Sequence, residues 1–395
     1  MKICIIGLEI SPPWTEGVKN NAFNLAKHLK KQGVDVFVLT MSRVLPEESV
    51  IEGVKFYAVK TADFDNKKEL YQSLPNLPKF IKFSRKVIAK EKPDVIHGNH
   101  YVLSMGVIDK LVNSTGAKCV ETIYGDFYDI SSMTSVNGFT FISEQLPHLL
   151  INNPLVTYVA STQYDAVLTP NNYLKNKLLN AAKTIEVIPN GVDTEKFRPL
   201  KSYDSFYKKH KINPKEPKVI YLGHLTYAKG VKFLIESFAN FTKTYPNAQL
   251  IIAWSGAGTQ NEEVFNLIKS KGIEKNIIKI GVVDVNEAMG CADVFVLPRT
   301  YAFGTVIIPN TILEALACST PVITTNLGGI NEIINGENGY TVAPRNSEAL
   351  TTAMLKLFSN KNKDSFRKNA RKTAEKYSWV EIAKKTKHFY GELLK

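Results

Sequence analysis

Lys229 and Glu314 are the side chains whose surroundings most clearly suggest chemistry. Lys229 follows an apolar segment and lies between Gly223 and Gly230, where a tight loop would place its ammonium group beside a leaving diphosphate. The alternative is a solvated surface lysine. Glu314 begins the apolar run LEALAC, and a carboxylate there can accept hydrogen bonds from both hydroxyls of a ribose. The alternative for Glu314 is a charge that stabilises the start of a helix.

Three glycines are placed where a backbone could approach a phosphate. Gly328 and Gly329 precede INEII, which we predict to start a helix, and amide groups at a helix start suit an anion. A simple turn is the alternative. Gly17 lies in the loop after the first predicted strand, another place where backbone and phosphate approach closely.

Two series of alternating strands and helices would position these residues. The first series has predicted helices at 20–32 and 79–92 and predicted strands at 2–8, 34–40, 93–98, 118–125 and 165–170. Residues 194–217 are polar and suit a linker. The second series has predicted strands at 217–225, 249–256, 277–283, 293–298, 321–325 and 339–344. This order predicts an α/β protein with two Rossmann-like domains, whose parallel sheets face each other across a cleft.

The composition describes a large globular chain. It has 395 residues, 44% of them hydrophobic, and no apolar run approaches the roughly 20 residues that a membrane helix needs. We therefore expect a cytoplasmic protein and interpret the apolar N-terminal residues as a buried strand, not as a signal peptide. Cys4, Cys119, Cys291 and Cys318 lack metal-ligand spacing and are expected to be buried thiols.

The charge is strongly basic, at a formal +13, and only seven of the 50 basic residues are arginine. Such a lysine excess suits phosphate-rich ligands or an anionic surface, or it reflects composition alone. No RNP, zinc-finger or KH signature is present, so we predict no nucleic-acid partner. His97 and His100 are three residues apart without a suitably spaced carboxylate or cysteine, so we predict two satisfied histidines and no metal site.

Several runs of residues together resemble glycosyltransferase family 4, whose members are retaining enzymes of the GT-B fold. The runs NGVDTEKFRP at 190–199, YLGHLTYAKGV at 221–231 and the segment 292–334 follow the order of elements in that family. PPWTEGVKNN resembles its glycine loop, and YSWVEIAKKTKHFY resembles its terminal helix. The resemblance implies an N-terminal acceptor domain at 1–193, a donor domain at 194–376 and a helix at 377–395 that crosses back to the first domain.

The resemblance also implies a role for each candidate residue. A nucleotide-sugar donor, UDP- or GDP-linked, would bind mainly the second domain, with no cofactor and no metal. The implied diphosphate contacts are Gly17, His224, Lys229, Gly328 and Gly329. The implied ribose contact is Glu314, and Asn310 and Thr311 could contact the transferred sugar in place of a family glutamate that is absent here. Tyr124 and His100 are the catalytic candidates on the acceptor side, and the acceptor hydroxyl would belong to a glycan, a lipid-linked molecule or a small molecule.

Four positions differ from the family pattern. His224 stands where arginine is usual and lacks its permanent charge and forked donors. The first of two family glutamates is absent, since that place is taken by Val306 or, in another alignment, by Ala302 or Tyr301. Tyr124 replaces a histidine near the transferred carbon, and Glu16 replaces the first glycine of the glycine loop.

Two segments could contact the acceptor. Residues 67–92 are basic and amphipathic, which suits either a membrane-surface helix or a helix that covers the first sheet with its lysines outward. Residues 139–160 are apolar and aromatic and form a second candidate for a membrane-facing lip. The basic residues after 356 are predicted to lie on the solvated faces of terminal helices.

The function predicted from these observations is a retaining glycosyltransferase. The missing glutamate and Tyr124 favour one alternative, a catalytically silent subunit that binds a nucleotide sugar or a glycan. A phosphorylase or an epimerase on the same two-domain scaffold is a third reading.

Overall fold

The computed structural model describes residues 1–14, 16–61, 74–99, 109, 112–126, 164–178, 183–256, 258–303 and 305–395. His100, the segment 139–160 and the first part of the basic segment 67–92 lie outside the described residues.

The first domain is built on an eight-stranded sheet. Its strand order is β3-β4-β2-β1-β5-β6-β7-β8, and all neighbours are parallel except β3 and β4. The strands are β1 Lys2–Gly7, β2 Asp35–Ser42, β3 Glu48–Ile51, β4 Val54–Lys60, β5 Val95–Gly98, β6 Lys118–Thr122, β7 Ala166–Thr169 and β8 Ile185–Val187.

The second domain is built on a six-stranded parallel sheet with the order β11-β10-β9-β12-β13-β14. Its strands are β9 Lys218–Leu222, β10 Gln249–Ala253, β11 Ile277–Ile280, β12 Val294–Leu297, β13 Val322–Thr325 and β14 Gly339–Val342. Strands such as VFVL of β12 are apolar throughout and wholly buried, as in parallel sheets covered on both faces. The predicted fold, two α/β domains with parallel sheets, is confirmed.

Helices cover both sheets. They are α1 Gly17–Lys31, α2 Leu77–Glu91, α3 Asn172–Lys177, α4 Asp204–His210, α5 Val231–Phe241, α6 Asn261–Ser270, α7 Val285–Gly290, α8 Asn310–Ala317, α9 Ser347–Ser359, α10 Lys363–Lys376 and α11 Trp379–Leu393. In the part of the chain that the structure describes, none of them is both long and apolar enough to cross a bilayer. All four cysteines are buried, as predicted.

Two regions differ from the predicted elements. The antiparallel pair β3–β4 turns at Glu52 and Gly53, which both have positive φ, and it was not predicted. The predicted linker 194–217 contains helix α4, which is anchored by the buried side chain of Phe206. One buried aromatic in a polar stretch gives too little periodicity for a helix prediction.

The chain crosses between the domains at two adjacent places. Val192 on the way out pairs with Ser378 on the way back. The Val192 amide donates to the Tyr377 carbonyl at 2.8 Å, and the Trp379 amide donates to the Val192 carbonyl at 3.1 Å. Helix α11 then packs into the core of the first domain, against α1. The boundaries at 193/194 and 376/377 stay predictions.

Candidate functional site

The loop after β9 carries Lys229 to the carboxyl end of β12. A turn of 3₁₀-helix, Tyr227–Lys229, ends at Gly230, whose φ is +71°. A Cβ at Gly230 would collide with the carbonyl of Pro298, so only glycine permits this approach. The amide of Thr300 donates to the carbonyl of Ala228 at 3.1 Å and joins the two loops.

Arg299 lies in the joined loop and forms a pair of cations with Lys229. Arg299 is 4% exposed, donates to the Ile307 carbonyl at 3.0 Å and also donates to the Thr305 hydroxyl. Burial lowers its pKa to about 10. Burial and the nearby Arg299 charge lower the pKa of Lys229 to about 8.

No carboxylate of the described residues forms an ion pair with Lys229 or Arg299. Two desolvated cations without a counter-charge favour an anion between or beside them. Arg299 is not among the site residues predicted from the sequence, although its place directly after the apolar strand DVFVLP was an available signal.

Glu314 is a further charged residue of the site whose pKa is shifted by burial. The sequence predicts that Glu314 begins a helix. Helix α8 instead begins at Asn310, so Glu314 lies inside the helix. The helix-start explanation of this carboxylate is therefore wrong. Burial raises the pKa of Glu314 to about 7, against a smaller opposite effect of Lys196. In the described residues no group donates a hydrogen bond to this carboxylate, which leaves it available to hydroxyls.

The start of α8 in the second domain contacts the start of α1 in the first domain. Asn310 donates its amide to Asn21 at 3.0 Å, and a Cβ on Gly17 would lie 3.7 Å from the same Asn310 nitrogen. Gly17 is the first residue of α1, where the sequence had suggested a loop. Helix α1 has no acidic residue in its first turn, which suits an anion. Thr311 follows Asn310 and is partly exposed.

Glu16, which replaces a family glycine, does not point into a buried site. It is exposed, and its carboxylate lies 3.8 Å from the ammonium group of Lys19.

Gly328 and Gly329 form a turn with φ of +61° and +75°. The helix predicted after them is wrong, because only a 3₁₀ turn of three residues, Ile330–Glu332, follows. Neither glycine amide donates to a described residue, while the Gly328 carbonyl accepts from the Asn171 side chain at 2.6 Å. Consecutive backbone amides in such a turn can still bind a phosphate.

Tyr124 lies at the junction of the domains. Its hydroxyl donates to Asn99 at 2.6 Å, and its carbonyl accepts from the Ile307 amide at 2.8 Å. Burial raises its pKa well above the usual value, so it is a poor base. The next residue, Gly125, pairs with Val306, one of the positions where the family glutamate is absent.

The alternative positions for that glutamate are also without a carboxylate. Tyr301 and Ala302 are buried, at 2% and 1% exposure. Of the two histidines of HGNH, His100 lies outside the described residues, and His97 lies in β5 and is buried. Its ring nitrogens contact the hydroxyls of Tyr390 at 2.5 Å and Thr122 at 2.6 Å, as a satisfied histidine would.

His224 lies in the same loop as Lys229, after β9, and its side chain is exposed. Its carbonyl accepts from the Tyr221 hydroxyl at 2.6 Å, which fixes the backbone and leaves the imidazole at the surface.

Two family models match nearly the whole chain. Residues 15–196 match the model described as Glycosyltransferase Family 4, and residues 202–376 match the model described as Glycosyl transferases group 1. The chain therefore belongs to the family 4 glycosyltransferases of the GT-B fold, as the sequence motifs predicted.

Known proteins agree with this assignment. An uncharacterised glycosyltransferase of Methanocaldococcus jannaschii is 27% identical over 99% of this chain and 98% of its own. Sucrose-phosphate synthase from Thermosynechococcus elongatus has a similar structure, with a TM-score of 0.81, 19% identity and coverage of 100% and 99% of the two chains. HepE of Anabaena, solved with UDP-glucose, gives a TM-score of 0.74 at 17% identity and covers 98% and 99%. The protein is a glycosyltransferase.

Proposed function

We propose that this glycosyltransferase moves a sugar from a nucleotide-diphosphate donor to an acceptor hydroxyl with retention of configuration at the transferred carbon. The observation that carries the proposal is the cation pair Lys229 and Arg299, which has no carboxylate partner among the described residues. A diphosphate is the anion that fits a sugar-transferring protein of this family. UDP and UDP-glucose complexes of the similar HepE support a UDP-sugar, and GDP-sugars remain the alternative.

The donor would lie along the edge of the second sheet. Its diphosphate contacts would be Lys229, the amides of Gly328 and Gly329 and the start of α1 at Gly17, with His224 at the rim. Its ribose hydroxyls would donate to Glu314. Asn310 would face the transferred sugar, because its side-chain oxygen is buried without a partner among the described residues.

Catalysis would depend on the leaving group more than on a base. In an oxocarbenium-like transition state negative charge grows on the departing diphosphate, and preorganised cations stabilise that charge. Tyr124 keeps its proton in the hydrogen bond to Asn99, so its role would be to hold the acceptor side and not to abstract a proton. Closure of the cleft would exclude water and orient donor and acceptor.

The acceptor would bind the first domain, and a lipid-linked acceptor is supported by helix α2. Lys82, Arg85 and Lys86 are exposed on this helix and line a groove of about 680 Å³ together with Leu77, Pro78 and Ile81. Basic and apolar side chains along one helix suit the surface of an anionic bilayer. The other face, with Phe80 and Ile88, covers the first sheet, so the helix would serve both predicted roles.

The second candidate function is a silent nucleotide-sugar-binding subunit. It is favoured by the residues that stand where the first family glutamate is missing, since Val306, Ala302 and Tyr301 offer no carboxylate to the sugar. A transferase with this site would have to recognise sugar hydroxyls through Asn310 and backbone groups.

A ligand screen followed by a turnover assay separates these functions. Thermal unfolding is measured with UDP, GDP, ADP and CMP and with their common sugar conjugates. A ligand at about 100 times its dissociation constant adds roughly 2.7 kcal/mol to stability. The expected result is a shift with one base, and then release of that nucleoside diphosphate when an acceptor is present.

Other outcomes exclude the proposal. A shift with nucleotide but no product with any acceptor indicates the silent subunit. Release of a sugar phosphate with inorganic phosphate indicates a phosphorylase. Absence of a shift with every nucleotide contradicts the assignment of the donor site.

A further inference from the structure

We infer that Glu332 is a positioning residue that holds the domains closed, by joining the turn of the proposed donor-binding glycines to helix α3 of the opposite domain. The inference rests on the proposed function only for the role of those glycines. The inter-domain contact itself is formed by residues of this chain alone.

The carboxylate of Glu332 caps a helix across the cleft. One of its oxygens accepts from the amide of Asn172 at 3.1 Å and from the side chain of Asn172 at 3.0 Å. The other oxygen accepts from the amide of Tyr173 at 3.0 Å. A carboxylate at a helix start is stabilised by charge-assisted hydrogen bonds and by the helix dipole. These three hydrogen bonds exist only while the two domains are in contact.

The glycine turn itself is docked on the same helix start. Asn171, which caps α3, also donates its side-chain amide to the carbonyl of Gly328 at 2.6 Å. A Cβ on Gly329 would lie 2.5 Å from the Cβ of Tyr173, so the turn and the helix touch. Their contact therefore fixes the direction in which the Gly328 and Gly329 amides point.

Helix α3 also contacts the segment that follows β6 in the first domain, where the acceptor is proposed to bind. The Tyr173 hydroxyl and the Lys177 ammonium group both donate to Asp126 at 2.7 Å. Asp126 is wholly buried, comes two residues after Tyr124 and pairs with Phe303 of the donor domain. One short helix thus connects the glycine turn, the junction residue Tyr124 and the loop that carries Arg299.

We therefore expect closure of the two domains, and the rate of sugar transfer that depends on it, to require Glu332. The Glu332 side chain need not touch either substrate for this effect. Loss of three charge-assisted hydrogen bonds would shift the protein toward an open arrangement. The maximal rate would then fall more than the affinity for donor, because nucleotide would still bind the second domain alone.

The test compares Glu332→Ala and Glu332→Gln with Glu337→Ala. Glu337 lies in the same segment and is exposed, and its carboxylate forms no hydrogen bond or ion pair with the described residues, so its removal is a matched loss of charge. Small-angle scattering of each unliganded protein gives its radius of gyration. We expect a larger radius for Glu332→Ala, a smaller increase for Glu332→Gln, which keeps one acceptor oxygen, and no change for Glu337→Ala.

Kinetics and a double-mutant cycle complete the test. With the donor identified by the ligand screen, we expect kcat of Glu332→Ala to fall roughly tenfold, with the donor KM changed less than threefold. Asn172→Ala removes one of the three hydrogen bonds, so it should open the protein partially, and it should add little to Glu332→Ala, in which that hydrogen bond is already absent.

Two results would overturn the inference. One is a radius of gyration for Glu332→Ala equal to that of the wild type and of Glu337→Ala. The other is an open Glu332→Ala protein that turns over at the wild-type rate. If Glu332→Ala does not fold, the same comparison of radius of gyration and turnover rate is made with Glu332→Gln and Asn172→Ala. If the wild type transfers no sugar, the proposed function fails, while scattering of the unliganded variants still decides the role of Glu332.

Discussion

The buried charge of Lys229 is expected to destabilise the folded protein when no anion is bound beside it. Its pKa is lowered to about 8 in the folded chain, while the unfolded chain keeps the ordinary value near 10.5. The unfolded state therefore binds this proton more tightly. The destabilisation is complete below pH 8 and disappears as the pH rises to about 10.5.

We predict that Lys229→Met stabilises the unliganded protein. At pH 7 the free energy of unfolding should rise by about 1–2 kcal/mol, a value reduced for solvent screening because Lys229 is partly exposed. The stabilisation by nucleoside diphosphate should be lost in the same variant. Urea unfolding with and without nucleotide measures both effects, and Lys243→Met, at an exposed lysine without an ion pair among the described residues, is the control. A less stable Lys229→Met protein would contradict the cation-pair interpretation.

The affinity for nucleoside diphosphate should have its maximum between pH 7 and 8. Ribose hydroxyls would donate to the ionised form of Glu314, whose pKa is about 7, so we expect affinity to rise through that pH. The diphosphate would need the charged form of Lys229, so we expect affinity to fall above about pH 8. Titration calorimetry between pH 6.5 and 9.5 measures the profile. Glu314→Gln should remove the lower limb and Lys229→Met the upper limb, and a flat wild-type profile would contradict both assignments.

Glu314 should also contribute directly to affinity. We predict that Glu314→Ala weakens nucleotide binding by roughly 1.5–3 kcal/mol, the usual range for hydrogen bonds to a charged group. Glu348→Ala, at an exposed glutamate in the same domain, is the matched control. Equal dissociation constants for Glu314→Ala and the wild type would exclude the ribose contact.

At the scale of elements, helix α2 makes the acceptor proposal testable. We predict that Lys82→Glu with Lys86→Glu reduces binding to vesicles of phosphatidylglycerol and phosphatidylcholine, since each lysine near an anionic surface contributes about 1 kcal/mol. The same charge change on α10, Lys368→Glu with Lys372→Glu, is the control because both lysines are exposed on a basic helix. Co-sedimentation measures the bound fraction. Equal losses in the two double variants would show unspecific attraction.

The central strands were predictable because most of them, such as KICIIG of β1 and VFVL of β12, are largely apolar runs between turn residues. Strand β3 was not, because its side chains alternate between exposed and half-buried, as at a sheet edge. The helix predicted after Gly329 failed for a tertiary reason: Glu332 turns away to cap α3, and the chain makes only one short turn. A contact between residues 160 positions apart in the sequence leaves no local pattern.

Those residues of the candidate site that stand in local sequence motifs could be proposed from the sequence. Lys229, Glu314 and the glycines stand in recognisable runs, and burial in the folded chain lowers the pKa of Lys229 and raises the pKa of Glu314. Arg299 and Glu332 depend on which loops meet, and a single sequence does not contain that information.

At the scale of the whole molecule, the place where the chain passes from the first domain to the second requires a glycine. A Cβ at Gly191 would collide with the indole of Trp379, which begins α11 and packs in the core of the first domain. We predict that Gly191→Ala lowers the free energy of unfolding by about 1–3 kcal/mol, as overpacking does. Gly281→Ala, where nothing lies within 4 Å of the added Cβ, should change little. Denaturant unfolding followed by tryptophan fluorescence measures both, and equal stabilities would mean that α11 can shift freely.

The pairing of Val192 with Ser378 also makes the second domain an insertion into the first. The chain leaves the first domain and re-enters it at neighbouring points, joined by hydrogen bonds of 2.8 and 3.1 Å. The first domain with helix α11 is thus one unit, interrupted by a segment whose two ends lie side by side. We predict that the second domain of another family member, spliced at these two points, is accepted without rebuilding the first domain, and that the chimera takes its nucleotide preference from the inserted domain.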